Sequence, residues 1–583
     1  MTLKHPFHPT HLLRTRESRR MTFGALATLA VGAVAVPVLL AQNKPQPTPA
    51  PAAAQPAAAQ PAAARPAGGN VTPFVANASV APKGDMLMWG GTPHRNMISA
   101  EKGAPTDWDV GDPDKPGDGK NIKWEAELGS KAYGNPIVTH GMVIVGTNNE
   151  SKKDPRYANP DGSAIDGGVL MAFDEKTGEF LWQKYYAKLP SGRVNDWPGE
   201  GLCSTPLSDG GKLYYCTNRC EVVCLDLSPG NAPKQEPKEL WKLDLMRQLG
   251  VFPHNMTSSA PASWGDYIYI ITGNGVDDTH KNVVAPKAPA IVCIDKNTGK
   301  VVWHDNAPGE NVLHGQWSSV AITEVKRPDG TVQPLVIAPL GDGWVYAYDA
   351  RDGKPVWKFD SNPKESVYPQ TRNELISTPV IWENRMYIAN GQDPEHGTGY
   401  AHLWCVDITK TGDVSAEISQ APKPKVGEEL VAPQAQVPNR KGQPNPNNGV
   451  VWHYFTADDN GDGKIQDNER FHRSIGTVAI SADGLLFATD FNGYVHCMDA
   501  RSGKHHWAYD MEADIWASPL LVDGKVYATD GDGDVAIFNA AKDAKEPTTT
   551  INMGASVYGT PVMANGTLYI MSMHKLFAIG TAK

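Results

Sequence analysis

The chain has 583 residues and carries 54 Lys and Arg against 64 Asp and Glu, so its net charge is -10 at pH 7. Because no cluster of Lys and Arg is interleaved with aromatic residues, we do not expect nucleic-acid binding. The 16 Trp and 56 Gly favour many short strands joined by tight turns over a helical protein.

Residues 1–41 have the pattern of an export signal. Basic residues as far as Arg19 and Arg20 precede an apolar run from Phe23 to Ala41. The pattern predicts a location outside the cytoplasm, in the periplasm or cell envelope. The residues leave open whether the signal is cleaved or kept as an N-terminal anchor, and whether export follows the Sec or the twin-arginine route. Membrane contact is expected only through such an uncleaved anchor.

Residues 42–84 form a segment rich in Pro and Ala, with a composition that cannot build a packed core. We expect a disordered, extended spacer here. The globular part is expected to start near Asp85 and to occupy residues 85–583.

A short pattern recurs within residues 85–583: an Asp, a Gly four residues later, and a Trp four residues after that. The Asp-to-Gly part has the composition of a turn between two strands, so each copy predicts a β-hairpin. A repeat of this size cannot bury its own faces and therefore indicates a stacked or radial β architecture. The copies are Asp174/Gly178/Trp182, Asp295/Gly299/Trp303, Asp349/Gly353/Trp357 and Asp499/Gly503/Trp507.

A second phrase, two small residues followed by Pro or Val, marks the start of each unit and predicts eight blades of four strands. The phrases begin at Gly134, Ser204, Ser259, Ser318, Ser377, Gly476, Ala517 and Gly559. The last unit has no Trp strand, whereas the strand around Trp124 has no unit before it. The sequence therefore predicts an all-β, eight-bladed β-propeller of four-stranded antiparallel blades, closed by the N-terminal strand near Trp124 that completes the last blade.

The stretch from Ala172 to Trp182 has the form Ala/Cys-x-Asp-x-x-Thr-Gly-x-x-x-Trp. This phrase resembles the repeat of the pyrroloquinoline quinone (PQQ) enzyme family. That family includes the quinoprotein alcohol dehydrogenases and the outer-membrane assembly lipoprotein BamB, and the resemblance implies their eight-bladed propeller. Because one fold supports many activities, the resemblance is specific for the fold and not for the function.

Two features interrupt the repeats. Residues 409–449 form a Pro-rich insert, which we expect to be a surface loop. Residues 458–469 match an EF-hand-like calcium loop, with Gly463 at its sharp turn. No helix pattern precedes the loop, so we expect a structural ion that fixes the linker between blades 5 and 6. The predicted ligands are Asp458, Asn460, Asp462, the carbonyl of Lys464, Gln466 and Glu469.

Most of the seven cysteines are expected to be core residues, since five of them stand at positions that hold Ala in other repeats. The spacing leaves open a disulfide between Cys216 and Cys220. Because no His lies at ligand spacing from these cysteines, we do not expect a zinc site among them.

The candidate site follows from propeller geometry. The first strand of each blade lines the axis, so the residue before each small-small phrase is expected to face a central funnel. Aromatic side chains there favour a binding site; the alternative is that they merely fill the axis while the loops contact solvent. The axial residues are Tyr133, Cys203, Ser258, Trp317, Ile376, Ile475, Trp516 and Tyr558. The loops at the same mouth carry Glu200, His254, Asn255, His314, Gln316, Arg372, Glu374 and Asp514.

The resemblance to quinoprotein dehydrogenases also implies one metal ligand. The stretch Tyr269–Asn274 matches the Thr-Gly-Asn phrase whose Asn binds the metal beside the quinone. Two features depart from those enzymes. No two cysteines are adjacent, and the loop Asn311–Trp317 has no carboxylate where the family places its catalytic Asp. His314 is the candidate base in that loop.

The leading hypothesis is a binding module of the cell envelope, with a structural calcium ion, whose funnel receives an envelope protein or a small molecule. The alternative is a PQQ- and calcium-dependent alcohol or sugar dehydrogenase with an atypical active site. In it, Asn274 and Glu200 hold the metal, His314 takes the proton, and Trp317 or Trp516 stacks on the quinone. A second alternative, a carbohydrate-binding wall protein, rests on the funnel aromatics alone.

Overall fold

The structure, a computed structural model, describes residues 80–112, 118–228, 234–419 and 441–580, all within the compact unit Thr72–Lys583. The expected signal at 1–41 and most of the expected spacer at 42–84 lie outside the described residues. The described part is almost entirely β, with one short α-helix, Leu245–Leu249 (α1). Its 3-10 helices are Asn149–Ser151, Pro155–Tyr157, Gly309–Asn311, Pro394–His396 and Asp467–Glu469. Within these ranges, no helix has both the length and the apolar character needed to cross a membrane.

Eight antiparallel four-stranded sheets form the blades of a propeller, as the sequence predicted. The strands that precede blade 1 are Ile98–Ser99 (β1) and Ile122–Glu127 (β2). Blade 1 consists of Ile137–Thr139 (β3), Met142–Asn148 (β4), Gly167–Asp174 (β5) and Phe180–Ala187 (β6). Blade 2 consists of Leu207–Asp209 (β7), Lys212–Cys216 (β8), Glu221–Asp226 (β9) and Glu239–Asp244 (β10). Blade 3 consists of Ala262–Trp264 (β11), Tyr267–Ile271 (β12), Ile291–Asp295 (β13) and Val301–Asp305 (β14). Blade 4 consists of Ala321–Lys326 (β15), Val332–Pro339 (β16), Trp344–Asp349 (β17) and Pro355–Asp360 (β18).

The second half of the ring repeats this arrangement. Blade 5 consists of Val380–Trp382 (β19), Arg385–Ala389 (β20), Leu403–Asp407 (β21) and Val450–Tyr454 (β25). The insert between β21 and β25 contains Gly412–Asp413 (β22), Glu417–Ser419 (β23) and Gly442–Pro444 (β24). Blade 6 consists of Ala479–Ile480 (β26), Leu485–Thr489 (β27), Tyr494–Asp499 (β28) and His505–Asp510 (β29). Blade 7 consists of Leu520–Val522 (β30), Lys525–Thr529 (β31), Asp534–Asn539 (β32) and Thr549–Asn552 (β33). Blade 8 contains Val562–Ala564 (β34), Thr567–Met571 (β35) and Lys575–Ile579 (β36).

The ring closes where the sequence predicted. Strand β2 pairs with β36 in antiparallel register, with Trp124 opposite Ala578, and becomes the fourth strand of blade 8. The last blade therefore contains strands from both ends of the propeller, and its third strand, β36, is covered by a fourth strand as in every other blade.

The Asp/Gly/Trp pattern records contacts between neighbouring blades. Trp303 of blade 3 packs on the turn at Gly353 of blade 4, and its indole N–H donates to the carbonyl of Ala350 at 3.1 Å. A Cβ placed on Gly353 would lie 2.6 Å from the Trp303 ring, so only Gly fits. The same contact joins Trp124 to Gly178, Trp241 to Gly299 and Trp452 to Gly503. Each turn thus docks the Trp of the preceding blade.

The small-small-Pro phrase makes a belt of hydrogen bonds around the axis. At seven of the eight blade junctions, the backbone N–H of its second residue donates to the side-chain oxygen of the equivalent residue in the next blade. The donor–acceptor pairs are Asn135–Thr205, Ala260–Ser319, Ser319–Thr378, Thr378–Thr477, Thr477–Ser518, Ser518–Thr560 and Thr560–Asn135. At the eighth junction the acceptor position holds Ala260, which has no side-chain oxygen.

A segment that the sequence did not single out lies across the ring. Residues 86–99, here called the basal strap, bond to the ends of the first strands farthest from the mouth. Their backbone carbonyls at Met86, Leu87, Pro93, His94 and Met97 accept the N–H groups of Val138, Ser208, Ile322, Ile381 and Leu521 in five blades. Arg95 is fully buried, and its guanidinium donates to the carbonyls of Trp89, Ala260, Pro261 and Val320. The strap therefore closes the base of the ring.

The start of the folded region also differs from the sequence expectation of Asp85. Ala81 is buried, and its N–H donates to the carbonyl of Ile98 at 2.9 Å. Strand β1 then adds in parallel to β30 as a fifth strand of blade 7. The composition of residues 42–84 did not indicate the contact between Ala81 and Ile98, because that contact is a hydrogen bond between backbone atoms.

The insert at 409–449 is more ordered at its ends than the predicted surface loop. Strand β22 adds in parallel to β18 as a fifth strand of blade 4, and β23 and β24 form a hairpin. Residues 420–440 lie outside the described residues. The Pro-rich composition gave no sign of these short strands.

We expect Gly353→Ala to destabilise the propeller by about 1–3 kcal/mol more than Gly330→Ala, because the new Cβ would overlap the Trp303 ring. Gly330 is a matched control, since it has a similar positive φ (83° against 73°) but nothing within 4 Å of a built Cβ. Urea unfolding followed by tryptophan fluorescence measures the difference. Equal shifts of the two unfolding midpoints would contradict the blade contact.

Candidate functional site

A central cavity of about 430 Å³ lies on the propeller axis. All eight residues that the sequence placed on the axis line it, from Tyr133 in blade 1 to Tyr558 in blade 8. Two of the predicted loop residues, Glu200 and Asn255, also line the wall. Because the first strands and their incoming loops occupy equivalent places in every blade, residues distant in sequence meet here.

Aromatic side chains on one side of the cavity lie against one another. Tyr133 is stacked with Trp516 at a ring-centroid distance of 5.8 Å and with Tyr558 at 6.0 Å. Trp516 and Tyr558 are 4.5 Å apart. Trp317 lines the opposite part of the wall, where its indole N–H donates to the carbonyl of His254 at 3.0 Å. Such rings offer flat apolar faces with a negative π surface.

The base of the cavity is formed in part by the basal strap. Trp89 of the strap lines the cavity, and the Arg95 guanidinium lies 6.0 Å from its ring centroid. The belt residues Asn135, Ser319 and Thr378 also line it. The cavity is therefore aromatic in its walls and closed below by a segment outside the repeats.

The charged groups of the cavity wall are acidic. Glu200, Asp393 and Glu395 line it, and among the described residues no Arg or Lys does. Burial raises the pKa of Glu200, whose Oε1 lies 3.6 Å from the Lys131 ammonium. Burial also raises the pKa of Asp393 to about 6. The wall therefore favours neutral or positively charged ligands over anions.

Two of the predicted funnel residues are used within the protein. The Asn274 side chain accepts the Phe252 N–H at 2.9 Å and donates to the Ala285 carbonyl at 3.0 Å. Gln316 donates to the Asn274 carbonyl at 2.7 Å. Neither side chain lines the cavity.

Arg372 and Asp514 also lie outside the cavity wall. The Arg372 guanidinium donates to the Asp342 carbonyl at 2.9 Å and to the Asp360 carboxylate at 3.1 Å. Asp514 accepts the Trp516 indole N–H at 2.5 Å. Asp514 therefore acts on the cavity by orienting one of its aromatic rings.

A histidine cluster lies beside the cavity. The Nε2 atoms of His254 and His314, both predicted at the mouth, are 2.9 Å apart and buried. His280 and His396, which the sequence did not single out, place their rings 4.6 Å and 5.3 Å from that of His314. Buried Glu374 lies 3.8 Å from His314 Nδ1. Since these residues come from loops of three blades, sequence spacing gave no sign of the cluster.

Burial keeps the two central imidazoles neutral at pH 7. It lowers the pKa of His254 to about 4 and that of His314 to about 2. A group with so low a pKa is a weak proton acceptor, so this environment does not favour His314 as a general base.

The described residues contain seven unpaired cysteines, so no Cys216–Cys220 bridge is formed. The Cys220 thiol lies 3.5 Å from the Thr272 carbonyl. Only Cys203 reaches the cavity, where burial raises the pKa of its thiol.

In the predicted calcium loop, the carboxylates at both ends accept hydrogen bonds from the loop's own backbone. Asp458 accepts the N–H groups of Gly461 and Gly463 at 2.8 and 2.9 Å. Glu469 is buried and accepts the N–H groups of Asp459 at 3.0 Å and Gln466 at 2.9 Å. The other predicted ligands, Asn460, Asp462, Lys464 and Gln466, are exposed along the loop. The carboxylates at both ends thus face the loop backbone, and calcium binding stays a prediction.

The loop also contacts blade 6. The His505 imidazole on β29 is hydrogen-bonded through Nδ1 to the Asp459 carboxylate. His505 in turn lies 3.2 Å from His496, which bonds to buried Asp490 at 3.0 Å. The contact joins the linker after blade 5 to the next blade, where the sequence analysis expected an ion to act.

A family model described as "Outer membrane protein assembly factor BamB" matches residues 116–276, 166–437 and 445–579. The chain belongs to this PQQ-repeat family. The matched residues cover the propeller from β2 to β36, and the observed blades are those of the PQQ repeat.

The curated relatives that the chain matches include quinohemoprotein alcohol dehydrogenases. Quinohemoprotein alcohol dehydrogenase ADH IIB of Pseudomonas putida is 24% identical over 337 residues, which are 55% of this chain and 43% of the relative. Polyvinylalcohol dehydrogenase of Sphingopyxis sp. (strain 113P3) is 20% identical over 449 residues, which are 67% of this chain and 60% of the relative. The chain thus spans less than two thirds of either relative.

Solved structures of the same fold are similarly distant. A europium-containing methanol dehydrogenase has a TM-score of 0.49 and 13% identity, covering 84% of this chain and 89% of its own. BamB from Moraxella catarrhalis has a TM-score of 0.46 and 13% identity, covering 79% of this chain and 97% of its own. Likenesses at this level carry no information about function.

We expect the chain to take up one calcium ion, and Glu469→Gln to abolish that uptake by removing the ligand that would bind bidentately. Isothermal titration of the EDTA-treated full chain with CaCl2 measures it. Asp532→Asn is a control, because Asp532 is an exposed residue of the acidic turn at 530–534, which does not match the loop pattern. Absence of calcium uptake by the unaltered chain would contradict the prediction.

Proposed function

We propose that this protein is a binding module that holds a small, neutral or positively charged organic molecule in its central cavity and acts outside the cytoplasm. One observation supports the proposal above all others: a cavity of about 430 Å³ combines aromatic walls with acidic groups and has no Arg or Lys in its described wall. A volume in this range suits a small organic ligand.

The cavity wall suits two kinds of contact. The faces of Tyr133, Trp516 and Tyr558 offer stacking surfaces for an apolar ring, a sugar face or a cationic group. The oxygens of Glu200 and Glu395 accept hydrogen bonds or balance a positive charge. A carbohydrate therefore falls within the proposed ligand class.

The residues do not fit PQQ. PQQ is a polycarboxylate, and the described wall supplies acidic groups where a polyanion needs Arg or Lys. Asn274, the ligand that the resemblance implied, is bonded to the backbone at Phe252 and Ala285 and lies outside the wall. We therefore rank the dehydrogenase below the binding module and derive no reaction step through a quinone.

The location outside the cytoplasm rests on the leader at 1–41, with its basic and apolar segments, and on the family description as an outer-membrane protein assembly factor. An envelope protein is the alternative occupant. The cavity is a less suitable surface for a protein, because its floor is closed by the basal strap and its volume suits a small molecule.

The test uses choline, cellobiose, and PQQ with CaCl2 as probes, each titrated against the tryptophan fluorescence of the full chain. We expect choline or cellobiose to bind, and Trp516→Ala to weaken that binding about three- to tenfold through loss of an aromatic face. Trp264→Ala is the matched control, since half-buried Trp264 does not line the cavity.

Two results would overturn the proposal. One is that neither choline nor cellobiose binds. The other is that PQQ stays with the chain through gel filtration and supports dye reduction with an alcohol, which is the behaviour of a quinoprotein dehydrogenase.

A further inference from the structure

The histidine cluster is assembled by loops on the mouth side of blades 3, 4 and 5. His254 lies in the segment that enters blade 3, and His280 lies between β12 and β13 of that blade. His314 lies in the segment that enters blade 4. Glu395 belongs to the 3-10 helix Pro394–His396 of blade 5 and also lines the cavity. The cluster therefore forms only when three blades are in place.

Three imidazoles present nitrogen atoms to one another. The ligand nitrogens of His254, His280 and His314 all lie within 4.8 Å of each other. Glu395 Oε1 lies 3.5 Å from His280 Nδ1 and 3.5 Å from His314 Nε2. Ligand atoms around a tetrahedral zinc ion lie about 3.3 Å apart, given bonds of about 2.0 Å. The Nε2 atoms of His254 and His314, 2.9 Å apart, and the two Glu395 contacts at 3.5 Å are close to that spacing, and the His280 nitrogen has to approach the other two imidazoles.

The hydrogen bonds fix which nitrogen of His254 is available. His254 Nδ1 lies 2.8 Å from the Val276 carbonyl, so it carries the proton and leaves the Nε2 lone pair free. A carbonyl that accepts the other ring N–H is the usual support of a metal-binding histidine. The Nε2 lone pair points at His314 Nε2, 2.9 Å away.

A hydrogen bond between the two histidines explains only part of this arrangement. His314 Nε2 would have to carry the proton, and Nδ1 would then be a buried lone pair. His314 Nδ1 has no hydrogen-bond partner, and Glu374 Oε1 at 3.8 Å is too distant for one. With a cation on Nε2 the proton moves to Nδ1, which faces the Glu374 carboxyl group, and a shift of a few tenths of an ångström would bring the two within hydrogen-bond distance.

We propose that His254, His280 and His314, together with the Glu395 carboxylate, bind one divalent transition-metal ion of the zinc or copper class at the mouth of the cavity. Imidazole nitrogen is a preferred ligand of these ions, whereas calcium takes oxygen ligands. The site is therefore chemically distinct from the loop at 458–469. Glu395 both lines the cavity and completes the ligand set, so a molecule in the cavity lies next to the ion.

Trp317 packs against the cluster, with its ring centroid 5.0 Å from that of His314.

The test titrates ZnCl2 into the EDTA-treated full chain in a calorimeter, with excess CaCl2 present to saturate the calcium loop. We expect one zinc ion per chain and a loss of affinity of about tenfold or more in His280→Ala. His280 is half-exposed, so this variant is expected to fold, which circular dichroism checks. CoCl2 gives a second readout, a visible absorption band that His254→Gln and His280→Ala each remove.

Two controls isolate the site. His453→Gln alters another imidazole pair, in which His402 Nδ1 and His453 Nε2 are 2.8 Å apart, but no third ligand joins that pair in the described part of the chain. This variant should keep its zinc affinity. The leader contains His5, His8 and His11, so zinc uptake that His280→Ala does not alter belongs elsewhere.

Zinc binding with unchanged affinity in His280→Ala, or no cobalt band in the unaltered chain, would overturn the proposal. The result is independent of the ligand test, because Trp516 lies outside the metal cluster and His280 does not line the cavity.

Discussion

Hydrogen bonds from the backbone of one blade to a side chain of the next hold the axial strands at a common radius, and the cavity exists only at that radius. Each bond contributes about 0.5–1.5 kcal/mol net, but an unpaired buried N–H costs more than that, so the phrase repeats small polar residues. The junction without a side-chain acceptor is at Ala260. Arg95 bonds to the Ala260 carbonyl there, so the basal strap contacts the ring at the gap in the belt.

The outer parts of the blades are joined by a different contact. A Trp from each of several blades lies on a Gly turn of the next, with its indole N–H bonded to a carbonyl of that turn. Belt and turns act between neighbours only, as in other repeat proteins. Equivalent positions consequently have equivalent surroundings, which explains why one residue per blade reaches the axis.

This equivalence set what the sequence was able to predict. Blade number, closure at Trp124 and the axial set from Tyr133 to Tyr558 all follow from repeat position. The basal strap was missed because it belongs to no repeat and bonds mainly through its backbone. His280 and His396 were missed because they lie in loops of unequal length, and their meeting with His314 depends on how three blades are placed in space. Asn274 was chosen by resemblance, and its side chain is bonded to the backbone instead.

The strap turns what would be an open channel into a blind-ended chamber. A molecule inside would enter and leave on the opposite side, where the blade 5 loop places Asp393 and Glu395 in the cavity wall. The dissociation rate of a bound molecule would then depend on the blade 5 loop rather than on the strands of the blades. Related chains with the same aromatic cavity walls should therefore differ in the residence time of their ligand when Asp393 and Glu395 differ.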